Sequence, residues 1–369
     1  MKRILLLIII TLIIASAISC ASRSELQIKE LGCPFSAHYN NNYSKTPWDM
    51  IFFDGKLFIG SGDYDSNSGP AIIACYDLST SELSVDALPD EQISSFSIIN
   101  ENLIAPGIDP MDDWSLGNYY IYNGESWETK RNIPYGIHTY QIIEFENKLF
   151  AALGTDNNRF PVVVSHDDGT SFSEVKFTKN GQDYPVCDSL NDRVYNMLVL
   201  NEKLYAIRFS GGECELFVYK DGVFQYFTKW MNDIVIPSSA QISPNCGFSS
   251  AVIYNGYYYF STGYLFRTKD AITIEYVALA NDSLIIDLYE SNESLYALAI
   301  KVNSDGGYVS SVYQISESKN KLLFEVTDPA YAVSLAADNN KFYLGFGENK
   351  SYPDKSGKII EYHYKGEIQ

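Results

Sequence analysis

The stretch Met50-Ile-Phe-Phe-Asp-Gly-Lys-Leu-Phe-Ile-Gly-Ser-Gly62 reads as two short apolar strands joined by an Asp54-Gly55 turn. Both central residues of a type I′ hairpin need positive φ, which Gly adopts freely and Asp tolerates. The pattern recurs. Aligned on Leu57, it returns at Leu103 after Asn100-Glu101, at Leu149 after Glu146-Asn147, at Leu204 after Asn201-Glu202, at Tyr258 after Asn255-Gly256, at Leu295 after Asn292-Glu293 and at Phe342 after Asn339-Asn340. The seven copies are spaced 46, 46, 55, 54, 37 and 47 residues apart. Asp or Asn opens six of the turns and Glu the other, which chance alignment of apolar runs does not produce.

A period in the forties carried by strands and turns predicts propeller blades. The expected fold is all-β, a seven-bladed β-propeller with four-stranded blades. Strand a precedes each turn and strand b follows it. Strand c is the next apolar run, such as Ala71 to Tyr76 or Val162 to Ser165, and strand d closes the blade, as at Leu83 to Leu88 or Phe172 to Phe177. Only six d strands can be found. The spare run Leu26 to Leu31 is expected to pair beside Lys358 to Tyr362, completing the last blade and closing the ring.

Composition bounds the function. Aromatic content of 14%, with 29 Tyr and 20 Phe, favours strands over helices. A formal charge of −19 argues against nucleic acid or an anionic membrane surface as partner, since both call for basic patches. With six Cys and four His, and no Cys/His cluster, zinc is not suggested.

Lys2-Arg3 followed by the apolar run Ile4 to Ile14 is a targeting segment, kept apart from the fold. Ala17-Ile18-Ser19-Cys20 then resembles the lipobox of bacterial lipoproteins, with Ala17 where Leu is usual. The resemblance implies a signal peptide over residues 1–19, lipidation at Cys20, a tether over 20–25 and a propeller over 26–369. The protein would then be lipid-anchored in the bacterial cell envelope, touching the membrane through its lipid alone, as a monomer. Cleavage after Ala15-Ser16-Ala17 is the alternative and gives a secreted protein.

Ser165-His-Asp-Asp-Gly-Thr-Ser-Phe172 lies between strands c and d of blade 3 and resembles the Asp-box (BNR) of sialidase-like propellers. The resemblance implies a structural role for Ser165, Asp167, Gly169 and Phe172, on the face away from the binding site. Kelch-like propellers share the architecture, but the Tyr/His/Cys copper constellation of a kelch-like oxidase finds no place here.

In a propeller the d–a and b–c loops share one face and the a–b and c–d turns the other. All a–b turns here have two residues, so long loops gather on the first face. The larger spacings place insertions at Thr178 to Asp192 and Trp230 to Gly247. Cys187, Cys214 and Cys246 fall in or beside them, and two of these are expected to form a disulfide. Arg193 and Arg208 flank the Asn201-Glu202 turn and are expected as near cross-strand neighbours at the mouth of blade 4. There they either hold a ligand carboxylate or pair with Asp192 or Glu213. Asp63, Asp65 and Asn67 alternate oxygen ligands as a Ca²⁺ loop does, although Ala74 stands where that loop needs Glu; an Asp/Asn-rich turn is the other reading. Calcium is the one cofactor suggested. Asp109, Asp112, Asp113 and Trp114 lie on the same face and either extend a cation site, form a sugar-binding platform with Trp114 stacking on a pyranose, or make a solvated loop.

Two function classes compete. One is a non-catalytic binding or scaffold protein for a glycan or envelope protein. The other is a sialidase-like glycoside hydrolase, which would need three arginines from different blades converging on the centre, without the early Arg-Ile-Pro motif that such enzymes carry.

Overall fold

Seven antiparallel blades follow one another around a central channel in the computed structural model, which describes residues 26–155, 158–185, 192–210, 213–231, 250–279, 283–317 and 319–366. The signal segment, Cys20, Cys187 and Cys246 lie outside the described residues. Strands a to d of blade 1 are Asp49–Phe53, Lys56–Gly60, Ala71–Asp77 and Leu83–Leu88. Blade 2 uses Ser97–Ile99, Asn102–Pro106, Leu116–Tyr122 and Trp127–Pro134. Blade 3 uses His138–Phe145, Lys148–Gly154, Val162–Ser165 and Ser173–Glu174; blade 4 uses Arg193–Leu200, Lys203–Ser210, Glu213–Lys220 and Val223–Lys229. Blade 5 runs Ala251–Tyr254, Tyr257–Ser261, Leu265–Thr268 and Ile274–Tyr276. Blade 6 runs Leu284–Ser291, Ser294–Val302, Tyr308–Ile315 and Lys321–Asp328.

Blade 7 takes three strands from the C-terminus, Ala332–Asp338, Lys341–Phe346 and Ile359–His363, and its fourth, Gln27–Gly32, from the N-terminal side. Ile28 lies opposite Tyr362 and Lys29 opposite Glu361, the closure expected from the unpaired run. The a–b turns follow from their chemistry. Both central residues have positive φ in six of them, from Asp54-Gly55 to Asn292-Glu293, and Asn339 does in the seventh.

Packing is between blades. Seven hydrophobic clusters fill the seven interfaces; the one joining last blade to first contains Met50, Leu57 and Ile59 beside Ala336 and Tyr343. Strand b supplies much of each cluster. Leu57, Phe58 and Ile59 are fully buried because both faces of that strand meet a neighbour, and each such side chain stabilises by about 1.5–3 kcal/mol.

Blade 3 departs from expectation. Its d strand is only Ser173–Glu174, and Phe177 turns away to stack on Phe224 with ring centroids 4.8 Å apart. Phe177–Lys179 therefore pairs in parallel with Val223–Lys229. With Gln182–Asp183 it forms a hairpin on the outer edge of blade 4, so the described part of the Thr178 to Asp192 insertion covers a sheet edge.

A polar ring lines the channel. Asp49 accepts the Phe96 N–H at 2.7 Å, Ser95 Oγ donates to the Tyr140 carbonyl at 2.9 Å, and Gln141 Oε1 accepts the Met197 N–H at 2.6 Å. Ser250 Oγ accepts the Leu288 N–H at 3.1 Å, Asp287 accepts the Leu335 N–H at 2.7 Å, and Ser334 Oγ donates to the Pro47 carbonyl at 2.6 Å. Each bond joins strand a of one blade, or the residues just before it, to the same place in the next blade. The channel cavity they border holds about 520 Å³.

Candidate functional site at the channel mouth

Loops of the first two blades fold over one side of the channel. Asp90–Gln92, from the d–a connection after blade 1, pairs with Ile108–Pro110, from the b–c connection of blade 2. Ile108 in turn pairs with His138, which adds both short strands to the inner edge of blade 3. A bridge from Gly62 to Gln92 ties in the b–c loop of blade 1.

This lattice gathers the polar groups of the mouth. His138 Nε2 lies 2.7 Å from Asp109 Oδ1, and its Nδ1 lies 2.8 Å from the Tyr140 hydroxyl and 2.8 Å from Arg193 NH1. Arg193 NH1 also donates to the Tyr140 hydroxyl. A guanidinium only donates, and so does a hydroxyl toward a bare ring nitrogen, so Nδ1 is the acceptor and the proton sits on Nε2, facing Asp109. Arg193, Tyr140 and His138 are thus joined by hydrogen bonds, and Asp109 Oδ1 lies close to His138 Nε2 without forming one. Tyr64 stacks obliquely on His138 at 5.4 Å and Tyr195 on Tyr140 at 4.7 Å.

The electrostatics reflect crowding. Burial, then the neighbouring Asp109 and Asp63 carboxylates, pushes Glu91 up to about 7. Burial raises the Tyr140 phenol despite the opposing pull of Arg193. Arg193 itself is raised, burial acting against the Tyr140 and Tyr195 oxygens that favour its charge, and its Nε is buried without a hydrogen-bond partner. Asp109 holds its place with φ of 54°, an uncommon conformation for a residue with a Cβ.

The structure separates the two arginines expected to act together. Arg208 sits opposite Val194, one residue beyond Arg193, so the alternation of the strand sends their side chains to opposite sheet faces. Arg208 is fully buried. Its Nε donates to Asp192 at 2.6 Å, its two terminal nitrogens donate to the Tyr184 and Pro185 carbonyls at 2.6 and 2.9 Å, and its guanidinium lies over the Tyr184 ring at 4.2 Å. It holds the edge of blade 4 and has no face left for a ligand. Arg193 alone reaches the mouth.

Other expected site residues are placed as follows. Trp114 is 58% exposed, and Arg131 NH2 lies 3.2 Å from Asp113 and NH1 4.0 Å from Asp112. Asp63 caps a short turn, accepting the Asp65 N–H at 3.2 Å and the Asn41 amide at 3.1 Å, with Asn67 left-handed at φ of 46°. That is the Asp/Asn turn geometry. Among the described residues no group of three or more His, Cys, Asp or Glu is arranged to hold a metal ion. Cys214 is disulfide-bonded, whereas Cys33 and Cys75 are free.

The Ser165–Phe172 turn is self-contained. Asp167 accepts Ser165 Oγ at 2.7 Å, the Ser171 N–H at 2.9 Å and Ser171 Oγ at 2.6 Å, which holds it down at about 2. Gly169 donates its N–H to Ser165 Oγ at 2.8 Å with φ of 78°, and Phe172 packs edge-on against Tyr119. Asp270 repeats the device in blade 5, accepting the Ile272 and Thr273 N–H groups at 2.8 and 2.6 Å.

No family model and no curated protein matches the chain. Solved structures do. A chain of the mitotic checkpoint complex aligns over 92% of this chain and 95% of its own, at 10% identity and a TM-score of 0.53. A Bacteroides fragilis protein provisionally named a 6-phosphogluconolactonase covers 79% of this chain and 88% of its own, at 10% identity and a TM-score of 0.50. PorZ, a bacterial surface component of the type IX secretion system of Porphyromonas gingivalis, aligns with 88% of this chain and 47% of its own, at 12% identity and a TM-score of 0.54. At such identities the likeness is one of fold.

Proposed function

We propose that this chain is an exported, lipid-anchored propeller of the bacterial cell envelope that binds a glycan or a protein partner at the channel mouth. The observation that carries the reading is the state of Arg193. Among the five described arginines, Arg131, Arg159, Arg208 and Arg267 each lie within 4.0 Å of a carboxylate, on Asp113, Glu174, Asp192 and Glu275 respectively. Arg193 has none and faces the mouth among tyrosines, which is where an unspent cation and aromatic surface serve recognition. The two-residue a–b turns strip the other face, and connections of the first two blades fold over this one. The lipobox resemblance at Cys20 supports the anchor.

Hydrolysis of sialidase type receives less support. It asks for three arginines at one point, and among the described residues only Arg193 stands there.

A glycan array probed with the chain from residue 21 onward, as wild type and as Arg193→Ala, tests the binding reading. Binding lost with Arg193→Ala is expected; binding that survives the substitution places the site elsewhere and overturns it. Labelling with a fatty-acid analogue in cells tests the anchor, with Cys20→Ser as the control that must lose the label.

A further inference from the structure

We infer that a short tether holds the propeller on its bilayer with the channel mouth pointing away from the lipid, so that the mouth meets partners presented from beyond the membrane surface. The inference rests on the lipid anchor at Cys20 and goes past it to an orientation. Three observations carry it. The first is where the chain enters the ring. Gln27 lies opposite His363, and His363 lies opposite Lys341, which follows the Asn339-Asn340 turn. Gln27 therefore stands at the face of the a–b and c–d turns. Gly32, opposite Ile359, stands at the other end of the strand, toward the mouth. The second is that the entry point is pinned. Leu26 packs against the cluster between blades 6 and 7, Lys29 Nζ donates to the Tyr76 hydroxyl of blade 1 at 2.8 Å, and Glu30 lies 3.3 Å from Lys355 Nζ of blade 7.

The third is length. Only residues 21–25 separate Cys20 from Leu26. Fully extended, the chain from Cys20 to Leu26 reaches about 20 Å at most. The strand it leads into, Gln27–Gly32, has six residues and is itself about 20 Å long. A tether doubling back along the edge of blade 7 is therefore spent by the time it reaches the level of the mouth, with no length left to enter the bilayer. Running on from the strand in the strand's own direction, it leaves through the face of the a–b and c–d turns and meets the bilayer there. The lipid and Arg193 thus stand at opposite faces of the ring. A glycan or protein held at the mouth is one that approaches from solvent or from a facing surface, and not one lying in the bilayer that carries the anchor.

The test purifies the full chain from the membranes of cells that make it, establishes acylation of Cys20 by mass spectrometry, and reconstitutes the protein in vesicles of phosphatidylethanolamine and phosphatidylglycerol whose headgroups bear an energy acceptor. A donor dye is attached through p-azidophenylalanine at one of two exposed positions. Ile272 is 59% exposed in the c–d turn of blade 5, and Trp114 is 58% exposed in the b–c connection of blade 2. Blades 5 and 2 stand two places to either side of blade 7, so the two positions differ in face and not in distance from the anchored blade. Transfer several-fold higher at position 272 than at position 114 is expected. Inserting about 20 Gly and Ser residues after Ser24 lengthens the tether well beyond the height of a blade and should bring the two readings together. Equal transfer at the two positions of the unaltered chain, or more at 114, overturns the inference while leaving the anchor in place. A difference that survives the insertion overturns the tether as its cause. A chain whose Cys20 carries no acyl group sinks the anchor and the orientation together and leaves the binding reading standing.

Discussion

Asp287 Oδ2 accepts the backbone N–H of Leu335 at 2.7 Å and thereby ties strand a of blade 6 to strand a of blade 7. Its other oxygen accepts the N–H of Leu288 at 2.8 Å. Replacing the side chain by alanine leaves the Leu335 N–H without this partner beside a narrow channel, while the Leu288 N–H keeps Ser250 Oγ. Each unsatisfied buried group costs about 1–3 kcal/mol. Asp287→Ala should therefore lower the urea midpoint by several times the shift of an exposed control such as Asp305→Ala. Equal midpoints would show that water replaces the carboxylate without loss.

The same carboxylates set a pH dependence. Burial, reinforced by Asp49, pushes Asp287 up to about 8, and burial pushes Asp49 up to about 7. An unfolded Asp releases its proton near 3.9. Between that value and about 7–8 the folded state therefore binds more protons than the unfolded state, and stability falls as pH rises. The contribution is fully present below the unfolded value and gone above the folded one. Thermal melts should show Tm declining from about pH 5 to pH 8, with Asp287→Asn flattening the slope. A Tm that climbs over this window would mean that the channel carboxylates are ionised throughout.

Arg208 and Arg193 lie on the same hairpin and should behave oppositely. Arg208→Ala removes the buried guanidinium paired with Asp192, a carboxylate 1% exposed, and removing one member of such a buried pair costs about 3–5 kcal/mol. Arg193→Ala removes a side chain that no carboxylate holds and should leave the denaturation midpoint nearly unchanged while acting on ligand binding. Equilibrium unfolding of the two variants side by side measures this. A large loss in Arg193→Ala with none in Arg208→Ala would reverse the assignment of roles.

How far the molecule was legible follows from sequence distance. The hairpins could be read because each turn and its two strands are local, and the turn demands residues that tolerate positive φ. The polar ring was equally present and went unread. Asp49, Ser95, Gln141, Ser250, Asp287 and Ser334 of the ring, and Asn196 at the same place in blade 4, each stand eight residues before the aligned apolar residue of strand b. Four residue types fill that position, so no motif shows until hydrogen bonds reveal a common role. Arg193 was legible as a candidate, but its partners were not. His138, Tyr140 and Asp109 come from other blades, and only the packing of consecutive blades and the two short strands over the mouth bring them together. Arg208 misled because spacing from a turn gives proximity along a hairpin, and the sheet face depends on register.

Ring closure makes the remaining prediction. Gln27–Gly32 contributes the outer strand of blade 7, and Lys29 Nζ reaches across to the Tyr76 hydroxyl of blade 1 at 2.8 Å. Without that strand, Ile359–His363 becomes a bare edge whose N–H and C=O groups lose partners, each hydrogen bond being worth about 0.5–1.5 kcal/mol. A bare edge also templates pairing with a second chain. A variant beginning at residue 33 should melt earlier than one beginning at residue 21 and should associate with rising concentration in size-exclusion chromatography. Adding the peptide of residues 24–33 in trans should restore the melting temperature and the monomer. If the shortened chain melts like the longer one and stays monomeric, the strand decorates a ring already held by its seven inter-blade clusters, and the closure contributes nothing to its stability.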